Sequence, residues 1–95
     1  MSEIIDKLRR HLPELEKHYQ VKSLGVFGSW TRGEQGKSSD LDLLVEFDEN
    51  GPGLLGFVHL ENYLSDLLDV RVDLVEKETL KPAIGRRILE EVQLL

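Results

Sequence analysis

Apolar residues recur every three or four positions from residue 2 to residue 19: Ile4, Ile5, Leu8, Leu12, Leu15 and Tyr19. Glu3, Lys7, Arg10, Glu14 and Lys17 fall between them, so the segment reads as an amphipathic helix. Pro13 sits inside this run and predicts a kink or a restart. Residues 21–28 read as a strand, and the polar stretch 29–39, with Gly33 and Gly36, as a short helical turn plus loop. Residues 40–47 read as a second strand, with Leu41, Leu43, Val45 and Phe47 on its core side, and 48–53 as a turn. The next helix covers 54–69. Its apolar stripe is Leu54, Phe57, Val58, Leu60, Leu64, Leu67 and Leu68, and its wet face is Glu61, Asn62, Ser65 and Asp66. Residues 70–76 alternate as a third strand with Val70, Val72 and Leu74 inward. Thr79 is expected to cap a helix over 80–91, with Pro82 near its start and Leu80, Ile84 and Ile88 inward. Gly85 inside that helix costs about 1 kcal/mol relative to Ala. The apolar tail 92–95 fits a final strand.

The order α-β-turn-β-α-β-α predicts an α/β (α+β) fold: a small mixed sheet flanked by helices. With 95 residues the chain is expected to form a single domain, 1–95. It has no cysteine, which removes disulfides, Cys-ligated metals and thiol catalysis. No apolar run approaches membrane-spanning length and no signal-peptide layout opens the chain, so a cytoplasmic location is expected. The net charge is −6, from 18 acids against 12 Lys and Arg. That balance lacks the basic footprint of a nucleic-acid binder, and no direct nucleic-acid binding is expected. An acidic protein can still handle phosphates when a divalent metal bridges the two negative partners.

Three carboxylates then gain interest. Asp40 and Asp42 lie two apart on a strand and share a face, opposite to Leu41 and Leu43. Asp73 has the same outward parity on the third strand. Like charges crowded on an apolar scaffold repel, and a hard cation would neutralise them. Oxygen-only ligands suit Mg²⁺, with Mn²⁺ as the alternative. The bland readings are a solvated strand start for Asp40 and Asp42, and an exposed residue or an Arg71 partner for Asp73. Gly28-Ser29 directly follows the first strand; Gly28 permits a tight turn and close approach, and Ser29 opens a segment whose amides favour an anion. Triphosphate on one side and metal on the other is what nucleotidyl or phosphoryl transfer requires.

Phe27-Gly28-Ser29-Trp30-Thr31-Arg32-Gly33-Glu34, then ten residues between Ser29 and Asp40, then Ser39-Asp40-Leu41-Asp42-Leu43-Leu44-Val45, resembles the minimal nucleotidyltransferase domain of the DNA polymerase β-like superfamily. Val72-Asp73-Leu74-Val75 followed by Leu80-Lys81-Pro82 matches the rest of that pattern, and the resemblance runs from about residue 4 to residue 92. It implies the polymerase β-like nucleotidyltransferase fold. It also implies an antitoxin that transfers AMP from ATP to a tyrosine hydroxyl of a partner HEPN ribonuclease toxin and so silences it. By residue, Gly28 and Ser29 would hold the triphosphate, and Asp40 and Asp42 the metals. Asp73 would complete the site and help activate the incoming hydroxyl. Ser39 and Arg32 are further candidates for phosphate contact, Arg32 being equally suited to a local ion pair.

Two other outcomes stay open on the residues: an antitoxin acting by binding alone, and transfer to RNA or a small metabolite. Trp30 suits base stacking or surface packing equally. Lys37 reads as a surface lysine and Ser38 as a turn cap. His11, His18 and His59 have no ligand spacing, and Arg86 and Arg87 read as surface charges.

Overall fold

The computed structural model describes residues 2–28 and 40–95. Among them, three helices and four strands follow the order α1 (Ser2–Tyr19), β1 (Val21–Phe27), β2 (Leu41–Phe47), α2 (Gly53–Leu68), β3 (Val72–Glu76), a 3₁₀ turn (Lys77–Thr79), α3 (Pro82–Glu91) and β4 (Gln93–Leu94). The strands form one mixed sheet in the order β3-β2-β1-β4. β1 pairs antiparallel with both β2 and β4, while β2 and β3 run parallel, joined by the crossover helix α2. The predicted α+β architecture is the one observed.

The alternating pattern decides the faces. Leu41, Leu43, Val45 and Phe47 of β2, with Val72 and Leu74 of β3, enter one core with Leu8 and Leu15 of α1 and Leu60, Leu64 and Leu68 of α2. Val21 and Leu24 are three apart, yet both are buried. A break in register between Val21 and Ser23 reconciles them, since one extra residue flips the parity of the strand. Asp42, Leu44 and Glu46 therefore take the opposite face of β2. Gly25 lies across from Leu44 on that face, where a Cβ would stand 2.5 Å from the Val92 side chain and 3.2 Å from Leu94. The absent side chain is what lets the C-terminal segment lie against β1.

Several expectations are corrected. Pro13 does not divide α1, which runs through it. Pro13 and Arg9, whose carbonyl loses its partner, are both exposed, so water can serve that carbonyl. Leu54 (78% exposed) and Val58 (45%) leave the core stripe of α2, while Phe57 between them packs against the core edge-to-face with Phe47. Thr79 does not cap α3: its hydroxyl donates to the Glu76 carbonyl at 2.8 Å, and Lys81 occupies the cap position. Pro82 opens the helix, where its missing N–H is not needed. Ile84 is 59% exposed, because α3 buries its glycine instead; a Cβ on Gly85 would stand 3.0 Å from that of Leu80. The apolar tail does form a strand, with Gly25 opposite Leu94 and Leu95 N–H bonded to the Leu24 carbonyl.

Beside the core, Glu46 accepts a hydrogen bond from the Ser23 hydroxyl at 3.2 Å and pairs with Lys77 and Lys22 at 3.6 and 3.8 Å. Partial burial alone would push its pKa up from 4.5, but the Ser23 bond and the two lysines together hold it below that value. A depressed carboxylate stabilises the fold above its unfolded pKa and loses that contribution as pH falls through its folded value. The stability gap between wild type and Glu46→Gln, measured by urea unfolding, should accordingly be present at about pH 7 and shrink as the pH is taken below 4.5.

Candidate active site

The parity of β2 and β3 sets the centre of the site. Asp42 and Asp73 are register partners on adjacent parallel strands, roughly 5 Å apart across the sheet. Both carry outward parity, opposite to Leu43 and Leu74. Asp42 is half-buried and Asp73 exposed. On the other side, Phe27 is the register partner of Asp42 in β1, so Gly28 leaves the sheet directly beside that carboxylate. Gly28 has φ +78°, a left-handed conformation that other residues adopt only with strain, and a Cβ there would collide with the Asp42 carboxylate. The approach thus needs glycine for two separate reasons.

Asp40 immediately precedes β2, whose first residue is tied down by the Leu41 N–H bond to the Arg71 carbonyl at 2.8 Å. It borders an open depression at the start of β3 together with Arg71, Asp73, Ser65 and Glu61. Among the described residues no group of three or more His, Asp or Glu side chains stands as a ready metal cage. Asp42 and Asp73 are level across the two strands, and Asp40 lines the depression that Asp73 also borders. Ser29, Arg32 and Ser39 lie outside the described residues, as do Trp30, Lys37 and Ser38.

Three further side chains support these elements, none singled out by the sequence pattern. β3 is an edge strand, and its outward amides need acceptors. Ser65 of α2 accepts from Val72 N–H at 3.1 Å, and Glu61 accepts from Leu74 N–H at 3.0 Å. Ser65 in turn donates to the Glu61 carbonyl. The two residues flanking Asp73 are therefore pinned by the helix, and positions expected to face solvent face the sheet edge instead. The third is Glu91, the last residue of α3, whose carboxylate accepts from Gly28 N–H at 2.8 Å. A sequence signal existed for Glu91: an acid in the final turn of a helix opposes the macrodipole.

Adjacent carboxylates beside a glycine turn match a family pattern. Residues 5–95 match the model of the nucleotidyltransferase domain. The chain belongs to the nucleotidyltransferase domain family. It is 48% identical over 92 residues to the protein adenylyltransferase MntA of Thermococcus cleftensis, covering 97% of this chain and 92% of that protein. A solved structure, provisionally described as a minimal nucleotidyltransferase, superposes with a TM-score of 0.83 at 38% identity, covering 98% of this chain and 94% of the other. The fold also matches, with a TM-score of 0.61 at 20% identity, a chain from the complex of a tri-AMPylated Shewanella oneidensis HEPN toxin with its MNT antitoxin, covering 98% of this chain and 66% of that one. The resemblance to MntA-like minimal nucleotidyltransferases is borne out, and with it the nucleotidyltransferase fold. No helix among the described residues is long and apolar enough to cross a membrane.

Replacing Gly28 with Ala should destabilise the fold by about 1–2 kcal/mol from backbone strain alone, with added loss from the displaced Asp42 carboxylate. Ser65→Ala should cost about 1–3 kcal/mol by stranding the Val72 amide. Urea midpoints of the two variants against wild type measure both.

Proposed function

We propose that this nucleotidyltransferase is the antitoxin of a toxin–antitoxin pair, moving AMP from ATP to a tyrosine hydroxyl of a HEPN ribonuclease toxin and so silencing it. The observation that carries this reading is the contiguity of Gly28, Asp42 and Asp73 across three neighbouring strand positions. A relative at 48% identity is named a protein adenylyltransferase, which supports a protein as the acceptor. The HEPN partner is supported by the complex whose fold this chain shares.

In the proposed reaction the acceptor oxygen attacks the α-phosphorus of ATP, the bond from that phosphorus to the β-bridging oxygen breaks, and pyrophosphate leaves. The tyrosine proton passes to a carboxylate, for which Asp73 is the exposed candidate. Gly28 and Ser29 hold the triphosphate, with Ser39 and Arg32 as further phosphate contacts. The donor set is oxygen-only and fits Mg²⁺, or Mn²⁺ in its place, at Asp40, Asp42 and Asp73. Mg²⁺ is commonly held by one or two carboxylates together with substrate phosphates, so a preformed cage is not required. When bound it would neutralise the charge shared by acids and phosphates.

Intact mass of the toxin after incubation with ATP and Mg²⁺ tests the assignment, with AMP-sized increments expected for wild type. Asp42→Ala should slow the transfer by about 10²–10³-fold or more without lowering the thermal midpoint. Undiminished transfer by that variant would refute the role of Asp42. Equal inhibition of the toxin by wild type and the Asp40→Ala/Asp42→Ala double variant, with no need for ATP, would replace catalysis with sequestration. Mass gain on RNA or a small metabolite instead of the toxin would redirect the acceptor.

A further inference from the structure

The bond between Glu91 and Gly28 joins the C-terminal end of the chain to the turn assigned to the triphosphate. The sheet order places β2 on one side of β1 and β4 on the other. Gly28 leaves β1 between them, with the Asp42 carboxylate on the β2 side and Glu91, two residues before β4, as the acceptor of its amide at 2.8 Å. Glu91 is half-buried and cannot wander. Gln93 and Leu94 are paired with Val26 and Gly25, and Leu95 N–H is bonded to the Leu24 carbonyl.

Local preference argues against an acid at this position. Glu91 ends α3 with Glu90 beside it and no basic residue in the last turn, so its charge faces the negative end of the helix. A group outside the helix that Glu91 meets is the Gly28 amide, at 2.8 Å. The charge-assisted bond fixes a peptide whose φ of +78° is otherwise free to relax at a glycine.

We infer that Glu91 is a positioning residue for nucleotide binding: it braces the Gly28 turn from behind, so that the turn meets the triphosphate preformed. The inference rests on the nucleotidyltransferase reading of that turn. Loss of the brace transfers the ordering of the turn to the binding step, which weakens affinity for the nucleotide. The chemical step, centred on the acids across the sheet, is affected less.

Titration calorimetry with Mg²⁺ and a non-hydrolysable ATP analogue tests this on the full chain. Glu91→Ala should raise Kd by about tenfold. Glu91→Gln, which keeps an acceptor at the same reach, should recover to within about twofold of wild type. In the transfer assay Glu91→Ala should raise KM for ATP while kcat stays within about threefold. A Glu91→Ala Kd equal to that of wild type overturns the brace, as does a Glu91→Gln variant as weak as Glu91→Ala. If Glu91→Ala does not fold, Glu91→Asp withdraws the acceptor while keeping the charge. It should then bind more weakly than Glu91→Gln, and the reverse order overturns the proposal. A wild-type protein that takes up no magnesium–nucleotide overturns the nucleotidyltransferase reading itself, and the brace falls with it.

Discussion

Burial of Leu41, Leu43, Val45 and Phe47 against α1 and α2 leaves Asp42 no choice of face. The same constraint on Val72 and Leu74 forces Asp73 outward, and the parallel register sets the two acids level. A slip of one residue in either strand would carry a carboxylate into the core and a leucine out to the site. The apolar side of the sheet is therefore what determines the polar one. Each leucine that holds the strands in register also holds the charges in place.

Around that pair the structure adds restraint from both edges. On the β3 side, Ser65 and Glu61 reach down from α2 to take the amides flanking Asp73. On the β1 side, Glu91 takes the amide of Gly28. Each of these is a side chain accepting from a backbone N–H that the sheet itself leaves over. The proposed site is so tied to the helices as well as to its own short strands.

The sequence pattern revealed what alternation and motif spacing govern: the helices, the shared parity of Asp42 and Asp73, the glycine turn and the terminal strand at Gln93–Leu94. It failed where a long-range partner outweighs local preference. Pro13 lies inside a continuous helix at a place where it and Arg9 are both exposed. Ile84 is exposed because Gly85 offers the closer approach to Leu80. Ser65 and Glu61 look like solvent-facing residues on a helical wheel, and only the position of the sheet edge shows otherwise. Glu91 left a trace in its unfavourable helix end, but its partner stands 63 positions earlier and no local pattern connects them.

The parallel pairing of β2 with β3 carries a consequence for how the protein could fail. β3 is short, sits at the margin of the sheet and reaches its place only after the long α2 crossover closes. Such peripheral segments open with smaller free energies than the centre of a domain. Brief detachment of β3 would separate Asp73 from Asp42 while most of the core and the spectroscopic signature of the fold persisted. On the roles proposed for Asp42 and Asp73, transfer activity depends on this marginal strand, and mild heat or denaturant should silence it before the bulk fold is lost.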